Sequence, residues 1–261
     1  VNVQGVIVAQ RDVYPMQGRW ATASLGVHLH YSLSETGTGF YSQDWLNHFA
    51  VYIPDYAYAP QTLKVWLGFY DLQTSQRLVV PEGYLSNAPI VDNNQILLGT
   101  VDVLPRQSDL NVPNPMDANF ADQMELVGYS VSDLAPLPSE QETITLYWRT
   151  KQKLTTDYRV FVHILDPQTT TIFGQDDAMP AHWTRPTTTW KPGEIIEDAH
   201  TFTVRPGAPP GQWQIEVGAY QVNAAGQIER LRVFTPDGGD ANDQVYLSRV
   251  RIADFPPDAY F

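Results

Sequence analysis

The feature that most constrains this chain is alternation with a period of two. In Gln212–Tyr220, the residues Trp213, Ile215, Val217 and Ala219 fall on one side, and Gln212, Gln214, Glu216 and Gly218 on the other. Thr62–Tyr70 does the same, with Leu63, Val65, Leu67 and Phe69 against Thr62, Lys64, Trp66 and Gly68. Successive side chains of a strand point to opposite faces, so the pattern predicts half-buried strands. The same reading predicts strands at Glu125–Val131, Thr143–Thr150, Tyr158–Leu165, Thr171–Gln175, His200–Val204, Glu229–Phe234 and Val245–Ile252. No convincing helical periodicity accompanies them. The 20 prolines and 17 glycines fall mostly between the alternating segments, as in Lys191-Pro192-Gly193 and Arg205-Pro206-Gly207. Short strands joined by such turns predict an all-β sandwich.

The segments recur in order. Val6–Pro15 lies over Thr171–Pro180 and Pro60–Tyr70 over Pro210–Tyr220, matching Gly68 to Gly218 and Tyr70 to Tyr220. Arg77-Leu78 then matches Arg230-Leu231, and Gln95–Val103 matches Gln244–Ile252. The expectation is two tandem immunoglobulin-like or jelly-roll-type β-sandwich modules, the first lacking its N-terminal strands. The first repeat takes residues 1–105, with an insertion at about 23–44 that holds a further strand candidate, Val27–Tyr31. A linker rich in Pro, Asn and Asp follows at 106–119, then the second repeat at 120–253 and a tail at 254–261. The strands at 125–131, 143–150 and 158–165 have no counterpart in the first repeat. A sandwich short of them exposes a core face and a strand edge. An upstream segment of the parent protein, or neighbouring chains, is therefore expected to complete it.

Hydrophobic residues at 43% and charged residues at 17% fit a folded chain, not a disordered one. A net charge of −13 repels phosphate backbones and anionic headgroups, which argues against nucleic-acid and membrane-surface binding. Apolar runs are far shorter than the ~18 residues of a membrane helix, so no direct span is expected in this chain. Without cysteine there are no disulfides, thiol nucleophiles or thiolate ligands. The chain opens Val1-Asn2-Val3 with no leader pattern, read as a processed end or a fragment of something longer.

Several stretches carry a resemblance: Ile144-Thr145-Leu146-Tyr147-Trp148, Asp157–His163, Gln175-Asp176-Asp177, Pro186-Thr187, Trp190-Lys191-Pro192-Gly193-Glu194, Pro209-Pro210-Gly211, Val217–Tyr220 and Arg230-Leu231. In these the second repeat resembles a C-terminal module of family 39-like membrane glycosyltransferases, the dolichyl-phosphate-mannose type, of Chloroflexi-type bacteria. The first repeat keeps Gln10, Asp12–Pro15 and Arg77-Leu78 but lacks the Trp-x-Pro-Gly-Glu turn. The resemblance implies an extracytoplasmic β-sandwich appended to a catalytic part that this sequence does not contain. It implies location at the cell surface or the outer face of the membrane, and no activity.

Polar and aromatic residues supply the remaining candidates. Gln175 and Asp177, repeated as Gln10 and Asp12, offer oxygens to a hard cation or a sugar. Position 176 is Asp in one repeat and Arg11 in the other, so a structural turn is the stronger reading and no metal or other cofactor is expected. His28 and His30 share a strand face but lack an evident third zinc ligand. His163 sits in an apolar strand and reads as a hydrogen-bonded core residue. Glu194, Glu197 and Asp198 near Trp190 have the residue types of a glycosidase pair, but Glu197 and Asp198 point to opposite faces of a strand. They read better as a solvated strand edge. Trp148 and Trp213 are in phase with the core. Trp66 is out of phase, and Trp20, Trp45, Trp183 and Trp190 fall in loops; these five and Tyr84 are candidates for a glycan-binding surface. The leading expectation is a non-catalytic structural or interaction module, the rival a carbohydrate-binding module accessory to a glycosyltransferase, and a glycoside hydrolase a distant third.

Overall fold

The computed structural model describes residues 1–12, 50–54, 57–79, 91–234 and 240–253. The chain divides into two compact units, Val1–Val8 with Asp55–Phe261, and Ala9–Pro54. The described residues of the smaller unit contain no strand; in them Gln10 Nε2 donates to Asp12 Oδ2 at 2.8 Å. The expected strand Val27–Tyr31 lies outside the described residues.

The larger unit is all-β. Its strands are β1 (Gln61–Gly68), β2 (Val91–Asp92), β3 (Gln95–Val103), β4 (Ala118–Phe120), β5 (Met124–Val131), β6 (Gln141–Arg149), β7 (Arg159–Leu165), β8 (Ile172–Ala178), β9 (Ile195–Thr203), β10 (Gly211–Val222), β11 (Ile228–Arg230), β12 (Val233–Phe234), β13 (Asp240–Asn242) and β14 (Val245–Ile252). A short 3₁₀ turn at Thr187–Thr189 precedes β9. No helix among the described residues is long and apolar enough to cross a membrane.

Residues 118–253 form two antiparallel sheets. One runs β13-β12-β4-β5-β6-β9; the other runs β11-β10-β7-β8, with β14 also paired to β10. Alternation decides the faces. On β6, Glu142, Ile144, Leu146 and Trp148 are buried, with partly exposed residues between them. Ile144, Leu146 and Trp148 join one core with Val160, Val162 and Ile164 of β7 and Ile215, Val217 and Ala219 of β10. Phe120 meets the Trp148 ring edge-on at 5.2 Å. Burying aliphatic and aromatic side chains of this size stabilises by roughly 1.5–3 kcal/mol each.

The remaining sheet has the order β1-β3-β2. Its main hairpin copies one from the sandwich. Gln61 pairs with Val103 and Leu63 with Val101, as Gly211 pairs with Ile252 and Trp213 with Val250. Both ladders slip at the same place. Leu98 is left over opposite the Val65/Trp66 step, and Leu247 and Ser248 both face Ile215. Tyr70 bridges to Arg77 as Tyr220 pairs with Arg230. The pairings of Pro60–Tyr70 with the two later segments thus repeat residue for residue, as the sequence predicts.

The segment Val6–Pro15 behaves differently. Its described residues, through Asp12, form no strand. Val6 is buried in the core of the sandwich at 118–253, and Ile7 N donates to Gln212 Oε1 at 2.9 Å. The expected linker is likewise held against the sandwich, where Tyr129 N donates to Pro113 O and Met116 N to Val127 O, and Ala59 N, just before β1, donates to Asn114 Oδ1 of the linker.

Candidate functional site

Asp176 and Asp177 are neighbours on β8, so their side chains leave on opposite faces. Asp177 reaches along the outer face to His163 Nε2 at 3.1 Å, and the other ring nitrogen meets Glu216 Oε2 at 3.0 Å. Asp176 points between the sheets, where its Oδ2 meets His200 Nδ1 at 2.8 Å. The second His200 nitrogen meets Asp198 Oδ2 at 3.0 Å, and Trp148 Nε1 donates to that same oxygen at 3.2 Å. The free Asp198 oxygen accepts the Ala181 N–H at 2.7 Å.

Burial works against a charged ring at both histidines, and the paired carboxylates outweigh it. His163 is raised above its ordinary value by Asp177 and Glu216, and His200 is pushed up to about 9 by Asp176 and Asp198. The His200 hydrogen bond draws Asp176 below the usual carboxylate range, against a smaller burial effect. A doubly bonded imidazolium has no lone pair to accept a proton. Both rings are 7% exposed or less. The His163 cluster ties β8, β7 and β10 within one sheet, and the His200 cluster joins β8 of that sheet to β9 of the other.

The Ala181 N–H capped by Asp198 begins a loop of unusual shape. Ala181, His182 and Trp183 have φ of 51°, 47° and 70°, three consecutive side-chain-bearing residues in the left-handed region. Each costs roughly 1 kcal/mol there. Bonds from Trp183 N to Met179 O and from Arg185 N to Pro180 O close the turn. It turns Trp183 outward, 52% exposed, with the Arg159 guanidinium 5.1 Å from the ring centroid.

The other expected residues separate. Trp190, read as a surface residue, is 1% exposed and belongs to the core, its indole N–H bonded to Arg185 O at 3.0 Å. Asp198, read as part of a solvated edge, is 0% exposed; Glu197 on the same strand does face solvent, and Glu194 pairs with Arg185 at 2.8 Å. Trp66 is half-buried. Gln175 is exposed, as are Gln10 and Asp12. Trp20, Trp45, Tyr84, His28 and His30 lie outside the described residues. Among the described residues no cluster of three or more His, Asp or Glu is arranged to hold a metal ion. Glu216, which completes the His163 cluster, was missed because a polar residue on the outer phase of a strand reads as solvated.

The larger open feature is the hairpin of β1 and β3. Leu63 on its apolar face is buried, but further along, that face is exposed. Val65, Leu98 and Val101 are 37%, 61% and 46% exposed, and their matching residues Ile215, Leu247 and Val250 are each 0% exposed.

No protein-family model matches the chain, and no curated protein matches it. Among solved structures it is similar to the sporulation control protein Spo0M of Bacillus subtilis, at 13% identity and a TM-score of 0.25, over 54% of this chain and 51% of that one. The chain thus spans about half the length of that protein, and a likeness this slight carries no argument about fold or role.

Proposed function

We propose that the chain is a non-catalytic structural and interaction module of a larger extracytoplasmic assembly, whose β1 sheet is completed from outside. The observation that carries this reading is the exposure of Val65, Leu98 and Val101 on β1 and β3, set against the full burial of Ile215, Leu247 and Val250 at the matching positions of β10 and β14. Engagement of both nitrogens of His163 and of His200 supports a non-catalytic role. The resemblance to a module appended to family 39-like membrane glycosyltransferases supports the outer-face location, and the lack of cysteine agrees with it. Hydrogen exchange on the dilute chain tests the reading. The Trp66 and Gly68 amides, which turn away from β3, exchange rapidly if that sheet awaits a partner, and slow exchange there overturns it.

A second reading is favoured by Trp183. A half-exposed indole on a strained turn suits stacking against a pyranose ring, which makes the chain a carbohydrate-binding module. Glycan-array binding that is lost in Trp183→Ala supports it; an array at background removes it.

A further inference from the structure

We infer that the free side of β1 seats one antiparallel strand, supplied in trans, with aliphatic residues opposite Val65, Leu67 and Phe69 and an aromatic residue opposite Gly68. This rests on the reading of the chain as an interaction module and names the chemistry of its partner.

The backbone is ready on that side. Lys64 N donates to Val1 O at 2.7 Å and Lys64 O accepts from the Val1 amino group at 3.0 Å, so both polar groups of Lys64 turn away from β3. Residues two and four further along a strand turn the same way, which places the N–H and C=O of Trp66 and Gly68 on that side too. Among the described residues no strand pairs there. The slip in the ladder lies in β3, so it leaves this alternation intact.

The sandwich shows what fits such a side. Gln214 stands where Lys64 stands and pairs with Leu165, so Val1 marks the Leu165 position. From there β7 runs along β10, placing Ile164 opposite Ile215, Val162 opposite Val217 and Val160 opposite Ala219. All six are 0% exposed. Opposite Gly218 lies Phe161, whose ring lies so close that a Cβ on the glycine would be 2.1 Å from it. The aromatic takes the space that the glycine leaves. At Gly68 the nearest atoms to a Cβ would be Gln95 Cγ at 3.1 Å, Asn94 O at 3.6 Å and Gln95 Nε2 at 3.8 Å, from β3 and the turn before it, and none is aromatic. The glycine is repeated and its aromatic cover is not. An added strand gains main-chain hydrogen bonds from the edge and specificity from alternate side chains, the general mode of β-augmentation.

The probe is a synthetic peptide with the sequence of Asp157–Asp166, added to the full chain and followed by hydrogen exchange and titration. The expected result is slowed exchange at Trp66 and Gly68, with binding weakened about tenfold by Gly68→Val in the chain or by alanine at the Phe161 position of the peptide. The peptide variant carries the test if Gly68→Val does not fold. Protection confined to β10, binding indifferent to both changes, or no binding overturns the inference. So does protection of β1 that grows with chain concentration alone, because the occupant is then a second copy. Rapid exchange at β1 in the free chain combined with no peptide binding sinks the strand chemistry and leaves the interaction module standing; slow exchange in the dilute chain sinks both.

Discussion

His200 Nδ1 and Asp176 Oδ2 meet at 2.8 Å across the interior of the sandwich and join β9, the edge of one sheet, to β8, the edge of the other. The His200 pKa of about 9 in the folded chain lies above its ordinary 6.5. A raised pKa stabilises the fold fully below the unfolded value and loses that effect as pH climbs through the folded value. The window is therefore pH 6.5 to 9, and the size is on the order of 3 kcal/mol. Urea midpoints of the wild type are expected to fall across that window. In His200→Gln they start lower and stay flatter. A wild-type midpoint that does not change between pH 6.5 and 9 contradicts this account.

Asp198 carries three partners at once, His200, Trp148 and the Ala181 N–H. Asp198→Ala leaves all three without their acceptor in a buried place, an expected loss of roughly 3–5 kcal/mol. Asp198→Asn keeps the volume and one acceptor and is expected to lose less. Thermal unfolding of the pair, side by side, checks the order.

Two matched glycines are expected to answer substitution differently. Gly218→Ala drives a methyl group into Phe161 and is expected to cost at least ~1–3 kcal/mol. Gly68→Ala meets a movable glutamine side chain and is expected to change stability by less than ~1 kcal/mol. Equal losses in denaturant unfolding would contradict the difference in their surroundings.

The turn at Ala181–Trp183 stores strain that one atom can release. Ala181→Gly removes the steric cost of its φ of 51° and is expected to stabilise by up to about 1 kcal/mol. A loss of stability in calorimetry would show that the turn is not strained at that residue.

Where one face of a strand is apolar and the other polar, the sequence was a good guide. The alternation over Gln212–Tyr220, Thr143–Thr150 and Tyr158–Leu165 matches β10, β6 and β7 closely. The early half of β9 was hidden because its buried phase runs Ile196, Asp198, His200, Phe202, and two polar members there read as solvent-facing. β4 is too short, at Ala118–Phe120, to show any period. Trp190 lies outside a regular strand, where spacing says nothing about burial; it follows the 3₁₀ turn, and its burial comes from a core built by strands distant in sequence. Of the candidate site, His163 as a hydrogen-bonded strand residue was legible. The bridging of the sheets by Asp176 and His200 was not, because nothing in either local pattern brings β8 beside β9.

The slipped ladder in β14 acts as a phase changer. Leu247 and Val250 are three residues apart, a spacing that sends regular strand residues to opposite faces, yet both are 0% exposed. The supernumerary residue turns the second half of the strand over, so that Val250 and Ile252 go inward after Leu247 has done so. The bulge thus absorbs the one residue by which this spacing departs from a regular strand. Losing Ser248 leaves Leu247 and Val250 two residues apart, so a plain ladder keeps both inward with Ile252, whereas losing Arg249 as well makes Leu247 and Val250 neighbours and sends them to opposite faces.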